Sequence, residues 1–335
     1  TSFIILPTVV SYPPSGSCVC GLWQLSQLCG QPCAKTTKRQ PGPSTIDSLI
    51  TPARRSLVFI KITSVKKNKG AVLGLIILGI IAVMAIVSGF VLDYDTQIVR
   101  QVVRERLQGP SLKHFFGTDQ YGRDIFLRIL YGARYSLTIG IVAVMVSLAI
   151  GGVFGIIAGY FGGVIENAIM RTCDIFSSIP SILLAICIST AFGASIFILM
   201  ISVGVVSVPA FARVARASVM TVRDQEYIEA AYASGASRLR IMFSHILPNS
   251  LAPIMVQVTM RVGSAIITAS SLSFLGLGIP APAPEWGSML AEGRSFIRDY
   301  SYMTMFPGLA IVITVLSINL IGDGLRDALD PKLKR

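Results

Sequence analysis

The sequence predicts an all-α protein that crosses a membrane with six helices. Of its 335 residues, 53% are hydrophobic and only 14% are charged, whereas an average soluble domain has about 25% charged residues. No charged residue occurs in 135–165, a run of 31 residues, or in 175–212, a run of 38 residues. About 20 apolar residues cross a bilayer as a helix, and a soluble core does not need such runs. A soluble enzyme, a disordered tail protein and a disulfide-stapled secreted domain are therefore excluded.

Six apolar stretches, separated by polar segments or a turn, are long enough to be the spans. They are 70–92, a helix within 135–160, two helices at about 175–192 and 195–215, a helix within 249–276 and one within 301–321. A polar loop of 42 residues, 93–134, separates the first two spans. The third and fourth spans are predicted from the 38-residue uncharged run, which is too long for one helix, with a turn at 192–195.

Small residues recur every four positions at the end of the second span. Gly151, Gly155, Gly159 and Gly163 are placed on one face of a helix by this spacing. A face without side chains lets another membrane helix approach closely. The stripe therefore predicts tight helix packing rather than chemistry.

Composition divides the chain into three parts. Residues 1–53 are predicted to be an atypical, disordered leader, because prolines interrupt its apolar stretch and a Pro-rich polar linker follows. Residues 54–134 hold an N-terminal cytoplasmic segment, the first span and the outer loop. Residues 135–335 hold the other five spans and a cytoplasmic loop at 213–247. The leader contains Cys18, Cys20, Cys29 and Cys33 at a spacing that is not typical of zinc sites, so no metal site is predicted.

The distribution of basic residues predicts the orientation. The net charge is +12, but the basic residues are scattered between apolar runs rather than gathered with aromatics on one face, so no nucleic-acid partner is predicted. The segments assigned to the cytoplasm hold 19 Lys and Arg, and the outer segments 93–134 and 285–299 hold 9. The positive-inside rule therefore places both termini and the loop in the cytoplasm.

Motifs typical of catalytic or cofactor-binding sites are scarce in this sequence. A phosphate-binding loop needs a Gly-Lys pair, and none occurs. The two histidines, His114 and His245, are assigned to opposite sides of the membrane, which argues against a catalytic triad or a histidine metal site. We predict no covalent catalysis and no cofactor bound by this chain.

Arg261 is the one charged residue that lies far from the ends of a predicted span. An arginine at the centre of a membrane helix costs roughly 2.5–3.5 kcal/mol on insertion scales. It is expected to face a water-filled translocation path, to lie at an interface with another helix, or to reach the membrane edge by snorkelling. The sequence favours none of these readings over the others.

The segment 224–249 predicts a compact knob that projects from the membrane. A short helix is predicted at 224–234, with acids in its first turn, where negative charge interacts favourably with the helix dipole. Gly235 can adopt the left-handed conformation that ends this helix. Ser237 can cap a second short helix that carries Arg238 and Arg240, and Pro248 can start the next span.

The same segment resembles the Glu-Ala-Ala loop of ATP-binding-cassette importer permeases. Its pattern appears here as Glu229-Ala230-Ala231, Gly235 and Leu247-Pro248 with all spacings intact. His245 replaces the isoleucine of the general pattern, and this variant is similar to the dipeptide, oligopeptide and nickel branch, C-type subunit. Further segments similar to that branch are 67–69, 116–124, 271–278 and 322–331.

The resemblance implies the fold and the partners. The fold would be that of a type I importer permease, and the chain would pair with a homologous second permease subunit in the bilayer. Glu226, Glu229, Ala230, Ala231, Gly235, Arg238 and Pro248 would couple the permease to two separate ATPase subunits, which would bind ATP and Mg²⁺. An extracytoplasmic solute-binding protein would deliver dipeptides, oligopeptides or nickel to the bacterial cytoplasmic membrane.

The outer-loop run 117–124 reads as a turn before an amphipathic helix at 125–134. Asp119, Arg123 and Asp124 either contact the binding protein or brace the loop, and bracing is favoured.

A secondary transporter and a channel are the alternative classes. A secondary transporter is expected to carry ionisable residues inside its spans or inverted repeats. A channel has no need for the Glu-Ala-Ala and glycine spacing.

Overall fold

A computed structural model describes residues 68–329, and every regular element in that range is helical. The helices are α1 (Lys69–Val91), α2 (Ile125–Ser147), α3 (Val153–Phe161), α4 (Gly163–Ser178), α5 (Ser181–Phe192), α6 (Ile196–Arg223), α7 (Glu226–Ala233), α8 (Arg238–Ile241), α9 (Leu247–Phe274), α10 (Trp286–Gly293) and α11 (Tyr302–Leu329). The predicted leader, its four cysteines and the last six residues lie outside the described range.

Five helical runs in this range are long and apolar enough to cross a membrane. They are Lys69–Val91, Ile125–Phe161, Ile196–Arg223, Arg238–Phe274 and Tyr302–Leu329. A sixth span is obtained if the bent pair α4 and α5 counts as one. The all-α, multi-span fold class is thereby confirmed.

The second span begins ten residues earlier than predicted. The structure starts α2 at Ile125, and a π turn at Leu148–Gly152 joins it to α3. The predicted amphipathic helix of the outer loop is therefore the first part of the spanning helix, because Asp124 caps it and nothing interrupts it at 135. Arg128 and Arg134 lie on this run, so Arg261 is not the only charged residue on a spanning helix.

The third predicted span is wrong as a straight helix. The chain bends by 86° between α4 and α5, at Ile179 and Pro180. A proline cannot continue a helix, and it disfavours helical backbone in the residue before it. The predicted turn at 192–195 is confirmed, since α5 ends at Phe192 and Ser195 caps α6.

The glycine stripe packs against α6, as predicted, at three of its four positions. A Cβ added at Gly151 would lie 2.9 Å from Cβ of Phe211, and one at Gly159 would lie 2.8 Å from the carbonyl oxygen of Arg216. Gly155 faces Ala215 just as closely. Gly163 does not belong to the contact, because it starts α4 and has open space around it.

The long helix α9 lies at the centre of the bundle and packs against α2, α6 and α11. One apolar cluster joins α9 to α1, α2, α10 and α11, and a second joins it to α2, α5 and α6. The exposed residues of α1 beyond Lys69 are all apolar, as expected of a helix that faces lipid.

We expect Gly155→Leu to destabilise the protein strongly. The new side chain would collide with the backbone of α6, and overpacking costs about 1–3 kcal/mol even where neighbours can shift. Thermal unfolding in detergent measures the loss.

The matched control is Gly79→Leu on α1, where an added Cβ meets nothing within 4 Å. Equal unfolding temperatures of the two variants would contradict the close approach of α3 to α6.

Candidate functional site

The knob, residues 226–241, consists of α7, the turn at Gly235 and α8. Gly235 has a φ of +79°, and its N–H donates to the carbonyl of Tyr232 at 3.0 Å. The N–H of Ala236 donates to the carbonyl of Ala231 at 3.2 Å, which completes a Schellman end of α7. Ser237 caps α8 by accepting from the N–H of Arg240. The predicted helix–Gly–helix conformation is confirmed.

The second helix of the knob continues into the membrane helix without a loop. A π turn at Met242–Ile246 joins α8 to α9. Pro248 therefore lies within a helical run. The sequence analysis had instead placed it at the start of a span. The π turn coincides with the turn where the proline ring cannot donate its hydrogen bond.

Apolar and hydrogen-bonded contacts anchor the base of the knob. Ile228 is only 1% exposed and packs in a cluster with Val219 and Ile241. The hydroxyl of Tyr160, on α3, donates to the carbonyl of Arg238 at 2.9 Å and lies 3.2 Å from the hydroxyl of Tyr232. The knob is thus tied to α3 and α6 as well as to α9.

A second tyrosine hydrogen-bonds the knob to the start of α9. The amide nitrogen of Asn249 donates to the hydroxyl of Tyr227 at 3.3 Å. Burial raises the pKa of the Tyr227 phenol above its ordinary value, so the hydroxyl stays protonated at neutral pH.

Most of the predicted coupling residues lie on the exposed surface of the knob, and Pro248 lies beyond it, in α9. Glu226, Glu229, Ala230, Gly235 and Arg238 are exposed, and Ala231 and Pro248 are half-buried. Ala230, which follows Glu229, is exposed and has only a small side chain. Leu239, which the sequence analysis did not single out, is 65% exposed and adds an apolar contact to this surface.

An ion-pair cluster lies at the opposite end of the bundle. Asp119 Oδ2 accepts from Arg123 Nε at 2.6 Å and from Arg128 Nη1 at 2.7 Å. Glu292 Oε2, on α10, accepts from Arg123 at 2.7 Å and from Arg128 at 2.9 Å. Both arginines and Asp119 are almost completely buried, and the four charges cancel.

Two members of this cluster were missed by sequence reasoning. The spacing of Asp124 and Arg128 is that of a helical ion pair, but Arg128 turns to Asp119 instead. Glu292 is 164 residues from Arg128, and no local pattern connects them.

Asp124 performs a different task from Asp119 and Arg123. Its Oδ1 accepts from the N–H of Leu127 and caps α2, and its Oδ2 lies 2.8 Å from His114 Nδ1. His114 also meets Glu105 at 3.2 Å. These contacts brace the loop internally, and the burial of Asp119 and Arg123 leaves them little surface for a partner.

Arg261 lies near the middle of α9 and is half-buried. Its guanidinium has no hydrogen-bond or ion-pair partner within 68–329. The same range contains no group of three or more His, Cys, Asp or Glu side chains that could hold a metal ion.

The fold is a bundle of apolar helices long enough to span a membrane, and the knob is anchored to it by buried side chains. The chain matches the family described as binding-protein-dependent transport system inner membrane component over 151–335, and the N-terminal TM domain of oligopeptide transport permease C over 63–110. The chain belongs to this family of transport permeases, which confirms the resemblance drawn from the knob.

Relatives of known function cover most of the chain. The dipeptide transport system permease protein DppC of Alkalihalophilus pseudofirmus is 47% identical over 294 residues, which are 88% of this chain and 94% of that protein. The glutathione transport system permease protein GsiD of Escherichia coli is 45% identical over 256 residues, 76% of this chain and 84% of that protein.

A solved structure supports the fold. The inward-facing MetNI methionine ABC transporter contains a chain that is 18% identical and superposes with a TM-score of 0.52, covering 62% of this chain and 98% of that one. At this identity the likeness concerns the fold alone, and it confirms the importer-permease architecture.

We expect Arg128→Met to destabilise the protein by about 3–5 kcal/mol, because it leaves a buried excess negative charge on Asp119 and Glu292. Adding Glu292→Gln to this variant restores the charge balance and is expected to recover part of the loss. Thermal or denaturant unfolding in detergent measures both.

Lys113→Met is the control, since Lys113 pairs with Glu105 at an exposed position where ion pairs contribute little. A loss in this control as large as that in Arg128→Met would contradict the role of burial.

Proposed function

We propose that this chain is the permease subunit of an ATP-driven importer that carries dipeptides or oligopeptides across the bacterial cytoplasmic membrane. The observation that carries the proposal is the knob, which exposes Glu229, Ala230 and Arg238 while Ile228 anchors its base. A helix that is exposed on one side and held on the other suits the transmission of force from a partner.

The knob is connected to membrane helices that could move with it as rigid bodies. The last helix of the knob continues into α9, and Tyr160 links the knob to α3. A displacement imposed on α7 and α8 would therefore be carried into the membrane by two helical runs. Alternating access follows if such displacement rotates these runs relative to a second permease.

The partners proposed are a homologous permease subunit, two ATPase subunits and a solute-binding protein. The ATPase subunits would bind ATP and Mg²⁺ and dock on the knob in the cytoplasm, with both termini of this chain on the same side. The translocation path would lie between the two permeases. This chain itself would carry out no covalent catalysis and bind no cofactor.

Peptides are the preferred substrate class because the relatives at 45–47% identity are named for dipeptide and glutathione transport. Nickel, the other substrate implied by the resemblance, is tested as a competing substrate in an assay of peptide uptake by proteoliposomes. Uptake that continues without ATP would favour the secondary-transporter or channel alternatives.

We expect Glu229→Arg to reduce substrate-stimulated ATP hydrolysis at least tenfold in the reconstituted complex. The charge is exposed on the knob, so its reversal disturbs docking while leaving the buried anchor intact. ATPase activity and peptide uptake by proteoliposomes are measured together.

Asp299→Arg is the matched control, because Asp299 is also an exposed acid but lies outside the knob. Full stimulation in Glu229→Arg, with correct assembly, would overturn the docking role of this surface.

A further inference from the structure

A stripe of polar side chains runs along α9 through the membrane span. Its members, spaced by four, three, four and three residues, are Gln257, Arg261, Ser264, Thr268 and Ser271. This spacing puts them on one helix face. The stripe extends over about 21 Å, a large part of a hydrocarbon core about 30 Å thick.

The stripe is accessible on the surface of this chain. Ser264 is exposed, and the other four side chains are half-buried. The contrast with α1 is informative, because the exposed residues of α1 beyond Lys69 are all apolar. Ionisable side chains within membrane spans face the interior of a helix bundle or a water-filled cavity rather than lipid. The partly exposed stripe around Arg261 is therefore expected to face the second permease and the path between the two chains.

Arg261 lacks a counter-charge at the centre of this stripe. It lies roughly 20 Å along the helix from either end of α9, and no carboxylate of residues 68–329 pairs with it. A charged residue at such a depth is normally paired or lines a path. The water or the counter-charge that solvates Arg261 must therefore come from outside residues 68–329.

We propose that Arg261 binds the C-terminal carboxylate of a peptide in transit, an inference that rests on the proposed function. The guanidinium offers a planar pair of donors that matches a carboxylate. The hydroxyls of Thr268 and Ser271 donate to the carbonyls of Ser264 and Ile267 within α9. Their oxygens remain acceptors, which suits the N–H groups of a peptide backbone lying along the stripe.

The first experiment tests whether the stripe faces water. In the full transporter with all six native cysteines replaced by serine, Ser264→Cys is compared with Ile80→Cys, an exposed position at the middle of α1. A charged, membrane-impermeant methanethiosulfonate reagent should modify Ser264→Cys at least tenfold faster. Equal or slower modification of Ser264→Cys, with and without ATP, would overturn the proposal.

The second experiment tests the ligand. Dialanine, and separately dialanine amide, is added in excess to the nucleotide-free complex without the binding protein, and protection of Ser264→Cys is measured. We expect dialanine to protect at a concentration at least tenfold lower than the amide does. This preference should disappear in Arg261→Gln and be partly kept in Arg261→Lys.

Arg298→Gln is the control, because Arg298 is exposed and lies outside the spanning helices. No protection by dialanine, or an equal preference with and without Arg261, would overturn the inference. ATP-dependent dialanine uptake by the same preparation is measured separately. Its absence would contradict the proposed function. Uptake without a preference for dialanine over the amide would contradict only the role of Arg261.

Discussion

The close approach of α3 to α6 is the contact on which the knob end of the molecule depends. Gly155 and Gly159 let the helix backbones meet without intervening side chains. Tyr160, the next residue, is thereby placed against the base of the knob, where its hydroxyl bonds to Arg238. Arg223, at the end of α6, donates to the carbonyl of Gly159 and closes the same contact. A packing feature of the membrane bundle therefore determines the position of the knob.

Sequence patterns predicted the local structure well where a single residue decides the backbone. Gly235 and Ser237 end and begin their helices as expected. The patterns failed where tertiary contacts decide. The helix start at Ile125 was predicted, but its continuation without a break into the uncharged run 135–165 was not. Hydropathy identified the third span as an apolar segment. It could not show that the chain bends by 86° at Pro180. The partner of Arg128 on α10 is set by the fold and has no signal in the local sequence.

The placement of charge follows from the cost of burying it in or near a membrane. At the end opposite the knob, two arginines are neutralised by two acids within hydrogen-bond distance, so no net charge is buried. On the knob, the acids of α7 remain exposed and keep their water. Arg261 fits neither solution, because it is deep along α9 and unpaired in 68–329. Its environment must be completed by water or by another molecule, as expected of a side chain on a path or at an interface with a second subunit.

The contacts at the two ends connect α2, α3 and α9 into one closed frame. At the knob end, Tyr160 ties α3 to the knob, which continues into α9. At the opposite end, Gly287 of α10 packs on Ser270 of α9, and Glu292 of α10 bonds to Arg128 of α2. Since packed helices transmit displacement rather than absorb it, a push on the knob is expected to rotate the frame as a unit. The polar stripe of α9 lies on this frame. The same rotation would therefore change the side of the membrane from which Arg261 is accessible.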